Sequence, residues 1–150
     1  MIYPEKKDLI AFVSSVNNTA GYKKWLLAGI KKYVHNNSLW GFEPIAVFMG
    51  QDEHIVLDLR NIYRLLKKSQ QKYFRRAVLE LLQLPVSKKN VRVLEILVLF
   101  SEQIQCTEAL DALQGLKEKL SHIKELEDSK FFLYIKCAIR SINAIKSMEE

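Results

Sequence analysis

The stretch RRAVLELLQLPVSKKNVRVLEILVLF, residues 75–100, carries the pattern that decides the fold. Its first part repeats apolar residues at spacings of three and four, which predicts an amphipathic helix. Pro85 ends that pattern because proline cannot continue a helix, and Ser87 follows as a capping residue. The second part, residues 91–100, is apolar on nearly every side, which predicts a more buried helix. The stretch therefore predicts two helices joined by a proline-containing turn.

Apolar side chains recur at the same spacing along the rest of the chain. Only 5 of the 150 residues are Gly and 3 are Pro, and 49% are hydrophobic, which favours a packed helical protein over a disordered one. We expect one all-α domain of about seven or eight helices, stacked as antiparallel pairs. Outside the opening stretch, the apolar stripes predict helices near residues 4–16, 22–35, 52–68, 109–120 and 131–145, with 72–84 as the first helix of the stretch itself.

Residues 38–59, SLWGFEPIAVFMGQDEHIVLDL, are compatible with two structures. Their apolar runs, 45–49 and 55–59, flank the polar sequence GQDE and would suit a β-hairpin. The second run also continues the apolar stripe of the residues that follow it, which favours a helix capped by Asp52. We expect the helix, with the hairpin as the alternative.

Two segments recur in similar form further along the chain. VLDLRNIY (56–63) aligns with VLEILVLF (93–100) at an offset of 37 residues. AVLELLQL (77–84) aligns with ALDALQGL (109–116) at an offset of 32 residues. Periods of about 30 to 47 residues are typical of paired-helix solenoids, in which each helix pair buries its apolar face against the next.

The leucine-rich helix, proline-containing turn and Val-Arg pair resemble the HEAT and armadillo type of helical repeat, whose repeats tend to have proline and Val-Arg at such positions. The matching residues are Pro85, Val91 and Arg92. The likeness extends loosely over residues 39–146, whereas residues 1–38 match nothing in the family and are expected to form N-terminal capping helices. The aspartate usual in the family's turn is replaced here by Ser-Lys-Lys. The resemblance implies stacked helix pairs that bind partners and catalyse no reaction.

Positive charge is concentrated in the first part of the chain. The formal net charge is +6, but residues 1–92 hold 16 basic and 7 acidic side chains, against 7 and 10 in residues 93–150. A basic region attracts acidic proteins, nucleic acids and anionic lipids. The densest part is KKSQQKYFRR, residues 67–76, with five cations and no acid.

This stretch predicts a basic corner where the helix ending near residue 68 meets the helix beginning near residue 72. Tyr73 lies off the apolar stripe and could stack on a nucleic-acid base. Lys72, Arg75 and Arg76 are expected in the first turn of the second helix, where positive charge is mildly unfavourable, and this supports a binding role. An ordinary solvated turn is the alternative. The residues of the basic corner, expected to bind a partner or polyanion, are Arg60, Arg64, Lys67, Lys68, Lys72, Tyr73, Arg75 and Arg76.

The other reactive side chains are expected to be structural. Cys106 and Cys137 both lie in apolar helical surroundings, so two reduced core thiols are expected, with a disulfide as the alternative. Asp58 and Glu95 occupy equivalent places in apolar runs, which predicts that each forms a structural ion pair, Arg92 being one partner for Glu95. Because the three histidines lack metal-ligand spacing and no catalytic motif is present, we expect no catalytic residue, metal or cofactor.

The expected function is binding without catalysis, as a scaffold or adaptor whose helical-repeat surface presents a basic rim to an acidic protein surface. The alternative is a nucleic-acid-binding protein using residues 60–76. A third interpretation is an immunity or antitoxin-type inhibitor, although its positive charge argues against a nuclease as the target. No apolar run approaches the about 20 residues of a membrane span and no secretory signal is evident, so a cytoplasmic protein without membrane contact is expected. Neither the partner nor the oligomeric state follows from the sequence.

Overall fold

The computed structural model describes residues 13–36, 52–87, 89–123 and 129–149. Within these ranges the chain is all-α and contains no strand, which confirms the expected fold class at that level. The helices with both ends described are α1 (Thr19–Asn36), α2 (Asp52–Leu65), α3 (Lys68–Leu81), α4 (Val91–Gln103), α5 (Leu110–Ser121) and α6 (Lys130–Glu149), and a 3-10 helix, Thr107–Ala109, precedes α5.

The chain divides into two compact units, Met1–Val78 and Leu79–Glu150. The boundary falls within α3, and buried apolar side chains occur in both units. The expected single domain, its capping helices before residue 38 and its HEAT-like stacking all stay predictions. None of the helices described above is both long and apolar enough to cross a membrane.

Phe74 of α3 lies at the centre of an aromatic cluster in the first unit. Its ring centroid is 5.1 Å from that of Tyr22, 6.1 Å from that of Trp25 and 5.9 Å from that of Tyr63. The last two contacts are edge-to-face, an arrangement that aligns the positive ring edge with the negative ring face. The cluster joins α1, α2 and α3, and further buried side chains of these helices are Leu26, Ile30, Val56, Leu59, Ile62 and Ala77.

Helix α2 resolves the ambiguity of the second apolar run. Residues 55–59 are helical, so the β-hairpin alternative is wrong for this run, while residues 45–49 lie outside the described ranges. The buried side chains Val56, Leu59 and Tyr63 are spaced by three and four residues, as one face of a helix requires. The continuity of residues 55–59 with the apolar stripe that follows them therefore correctly predicted a helix.

The junction between α2 and α3 is tighter than the sequence predicts. Only Leu66 and Lys67 separate the helices, so the expected start of the second helix near residue 72 is wrong and Lys68 is the first residue of α3. The side chain of Gln70 accepts a hydrogen bond from the Lys67 backbone N–H at 3.2 Å, which caps the start of α3. Residues 68–71 are all polar and show no apolar periodicity, so the sequence gives no signal that α3 begins this early.

The second unit is built on α6. Both α4 and α5 pack against it, and the 3-10 helix contacts α5 and α6. The predicted apolar character of α4 is confirmed, because nearly all of its central residues are buried. The predicted break is confirmed, because Pro85 and Ser87 lie in the connection before α4. The predicted capping role of Ser87 is wrong: the N-cap residue of α4 is Asn90, and Ser87 contributes only its backbone carbonyl, which accepts the N–H of Val91 at 2.9 Å.

The two cysteines occupy different environments. Cys106 is buried immediately before the 3-10 helix, and Cys137 is exposed on α6. Both are free thiols, so the disulfide alternative is wrong. The expectation of a core thiol is confirmed for Cys106 but is wrong for Cys137, because α6 turns Ile135 and Ala138 toward the core and the two intervening positions outward.

Candidate partner-binding surface

The helix hairpin formed by α2 and α3 carries the basic corner. Between Leu59 and Leu79 the sequence contains seven cations and no acidic residue. Five of these cations are exposed: Arg64, Lys67, Lys68, Lys72 and Arg76. An exposed surface of this sign favours contact with negatively charged partners.

Three of the exposed cations form a row along α3. Lys68, Lys72 and Arg76 are spaced by four residues, which places them on one side of the helix over about 12 Å. We refer to these three residues as the cationic row. Like charges at this spacing repel each other by a few tenths of a kcal/mol, and the first turn of α3 contains no acid to offset them. The row therefore slightly destabilises the helix that carries it.

The other two exposed cations flank the turn between the helices. Arg64 lies in the last turn of α2, where a cation interacts favourably with the helix dipole, and Lys67 immediately precedes α3. Between them, Leu65 is 62% exposed. We refer to Arg64, Leu65 and Lys67 as the tip. The apolar stripe of α2 continues to the buried Leu66, and Leu65 lies off the three-and-four spacing of that stripe, which is the sequence signal of its exposure.

Hydrogen bonds hold the hairpin in one geometry. The Gln71 side-chain amide donates to the Tyr63 carbonyl at 3.0 Å, and Arg75 Nη1 donates to the Tyr63 hydroxyl at 2.6 Å. The buried Gln70 side chain donates to the carbonyl of Ser14, which ties the start of α3 to an earlier part of the chain. Hydrogen bonds of this kind lower the ordering cost that the hairpin pays when its surface charges bind a partner.

The remaining members of the basic corner are less accessible than expected. Arg60 and Arg75 are half-buried, and the bond to Tyr63 gives Arg75 a structural role in joining α2 to α3. Tyr73 is also half-buried. As predicted, it lies off the apolar stripe of α3, to which the fully buried Phe74 belongs. The corner thus consists of an exposed set and a supporting set, a division that the sequence does not reveal.

The predicted ion pair at Glu95 is confirmed in the second unit. Glu95 is 4% exposed, and its Oε2 lies 2.5 Å from Arg92 Nη1 and 3.6 Å from Lys130 Nζ of α6. A buried carboxylate requires such compensation. The side chain of Asp58 lies outside the described residues, and in the ranges that the structure covers no three metal-binding side chains cluster together.

No family model, curated protein or solved structure matches this chain.

Proposed function

We propose that this chain is a non-catalytic protein-binding scaffold of HEAT-like helix pairs, whose basic corner takes an acidic surface of another protein. The observation that supports the proposal is the set of five exposed cations on a hydrogen-bonded hairpin that has no acid between Leu59 and Leu79. Such a surface accelerates the encounter with an acidic partner and repels basic ones.

The cationic row also destabilises α3, and this energetic cost supports a role in binding. Lys68, in the first turn of α3, opposes the helix dipole, and Lys68, Lys72 and Arg76 repel one another at their spacing of four residues. An arrangement that weakens a helix is more readily explained by binding than by stability, since strained or unfavourable local features concentrate at functional sites.

Charge reversal of the cationic row tests the proposal. We expect the variant K68E/K72E/R76E to bind a fluorescent glutamate-rich peptide at least about tenfold more weakly than the wild type, as fluorescence anisotropy would measure. The matched control is K117E/R140E/K146E, which changes three exposed cations of the second unit and has the same net charge. Equal loss of affinity in both variants would refute a role for the row, because net charge alone would then explain binding.

The single variant Lys68→Glu separates binding from folding. An acid at the start of α3 is expected to stabilise the helix by about 0.3–1 kcal/mol through the helix dipole, while weakening peptide binding. Chemical denaturation and the same anisotropy titration would report the two effects. A variant that is more stable and binds less cannot owe its loss of affinity to unfolding.

A second candidate function is single-stranded nucleic-acid binding, which the half-buried ring of Tyr73 beside Lys72 favours. Bases stack on aromatic rings next to cations, and each phosphate contact steepens the fall of affinity with salt. Tyr73→Leu would then weaken binding of an oligonucleotide and leave binding of the glutamate-rich peptide unchanged. An oligonucleotide affinity unaffected by this substitution would leave the acidic protein as the preferred partner.

A further inference from the structure

The second unit contains a groove between the end of α3 and α5. Its volume is about 400 Å³, within the range of about 300–1,000 Å³ that binding sites occupy. Apolar side chains contribute much of its lining, with Leu79 and Leu82 on one wall and Ala112 and Leu116 on the other. The groove can therefore receive an apolar side chain together with the aliphatic parts of the side chains next to it.

Gly115 keeps the groove open. A Cβ added at this position would meet no atom within 4 Å, so it would project into open space instead of clashing. Glycine weakens the interior of a helix relative to alanine. A larger side chain at position 115 would therefore fill the groove without disturbing the packing beneath it.

The charges at the groove are unevenly placed. The exposed acids Glu108 and Asp111 lie at the end where α5 begins, and Lys119 lies two turns later, about 12 Å from Asp111 along the axis. An apolar groove with acids at one end is complementary to an apolar side chain flanked by cations.

The tip has this chemistry. Of the large apolar side chains that the structure describes up to Val78, Leu65 alone is exposed, and Arg64 and Lys67 flank it. The Gln70 cap holds the turn beside it in place. An apolar side chain on a hydrogen-bonded turn, with cations around it, is the type of residue that anchors an interface once it enters a pocket.

We propose that the chain associates with a second copy of itself, the tip of one copy entering the acidic end of the groove of the other. The inference rests on the proposed function, since it names a partner for the same basic corner. Because the two contacting surfaces differ, the interface is heterologous, and repeated use of it builds chains or rings of copies.

The charge of the two units also favours contact between unlike units. Residues 1–78 hold 13 basic and 6 acidic side chains, a net +7, and residues 79–150 hold 10 and 11, a net −1. Two copies that met through their first units would repel each other, whereas tip and groove bring opposite signs together.

Sedimentation or light scattering over micromolar to millimolar concentrations tests this inference. We expect the wild type to form species larger than a monomer as concentration rises, and to lose them at high salt. Leu65→Ser and Gly115→Leu should each lower the association constant by about tenfold or more, the first by removing the anchor and the second by filling the groove. Leu133→Ser, which changes an exposed leucine of α6, is the matched control and should associate like the wild type.

Mixing the two defective variants provides the decisive experiment. Leu65→Ser retains its groove and Gly115→Leu retains its tip, so the mixture should form a one-to-one dimer and nothing larger. Association of either variant alone at wild-type strength, or a mixture that stays monomeric, would overturn the inference. A wild type that stays monomeric at every concentration yet binds the glutamate-rich peptide would refute self-association and leave the proposed function intact.

Discussion

Tyr22 shows how one residue links a helix to the chain before it. Its side chain is buried, and its hydroxyl donates a hydrogen bond to the Val13 carbonyl at 2.9 Å. Burial raises the pKa of the Tyr22 phenol above its ordinary value of 10.0. In the folded state the hydroxyl therefore satisfies a backbone acceptor, and the protonated form of the phenol is favoured.

Tyr22→Phe is expected to lower the free energy of unfolding by about 0.5–1.5 kcal/mol at neutral pH, because the Val13 carbonyl loses one of its two donors and keeps only the backbone N–H of Val16. The pKa of the phenol is higher in the folded than in the unfolded chain, so its contribution is fully present below pH 10 and is lost as pH rises through the folded value. Urea denaturation across this alkaline range should give a steeper loss of stability for the wild type than for Tyr22→Phe. Parallel pH curves would contradict this prediction.

At the scale of elements, a buried carboxylate joins α4 to α6. Arg92 and Glu95 belong to α4, whereas Lys130 begins α6. A second link between these helices is the Ser141 hydroxyl, which donates to Glu102 Oε1 at 3.0 Å. The Glu95 contacts are unequal, because the Arg92 side chain is 35% exposed and 2.5 Å away, while that of Lys130 is 54% exposed and 3.6 Å away.

We expect Arg92→Leu to destabilise the protein by about 1–3 kcal/mol, less than for a fully buried pair, since it leaves Glu95 with only the distant lysine. Lys130→Leu should cost under about 1 kcal/mol, as exposed ion pairs contribute little. The double variant R92L/E95L should regain much of the loss, because no buried charge then remains. If the losses of stability in Arg92→Leu and Glu95→Leu simply add in the double variant, Arg92 and Glu95 are not coupled.

At the scale of the whole molecule, the distribution of charge matters more than its total. The +6 net charge arises from the first unit, and much of it lies in the basic corner. A surface that contacts a charged matrix or partner responds to the local cluster of cations, and distant charges are screened over about 8–10 Å at physiological salt.

Cation-exchange chromatography near pH 7 would separate local from total charge. K68E/K72E/R76E and K117E/R140E/K146E both reduce the formal net charge from +6 to 0, because each replaces three cations by three acids. We expect the first variant to elute at clearly lower salt, since it removes the cationic row. Elution of both variants at the same salt concentration would indicate that the row is not a distinct surface.

The sequence by itself determined where most described helices form. Apolar residues at helical spacing mark the sides that are buried, as Phe74, Ala77, Val78 and Leu81 of α3 confirm. This information is local, because a helix satisfies its own backbone hydrogen bonds and needs only one apolar face to pack. The paired cation at Glu95 was also predictable, since a carboxylate within an apolar run requires compensation.

Only the tertiary structure decided which cations of the basic corner face solvent and where the hairpin turns. The bond that ties Gln70 to Ser14 joins residues 56 positions apart, and the one between Arg75 and Tyr63 joins two helices. The exposure of Cys137 likewise depends on which side of its helix packs against the rest of the unit. Such contacts are made by residues distant in sequence, so no local pattern encodes them.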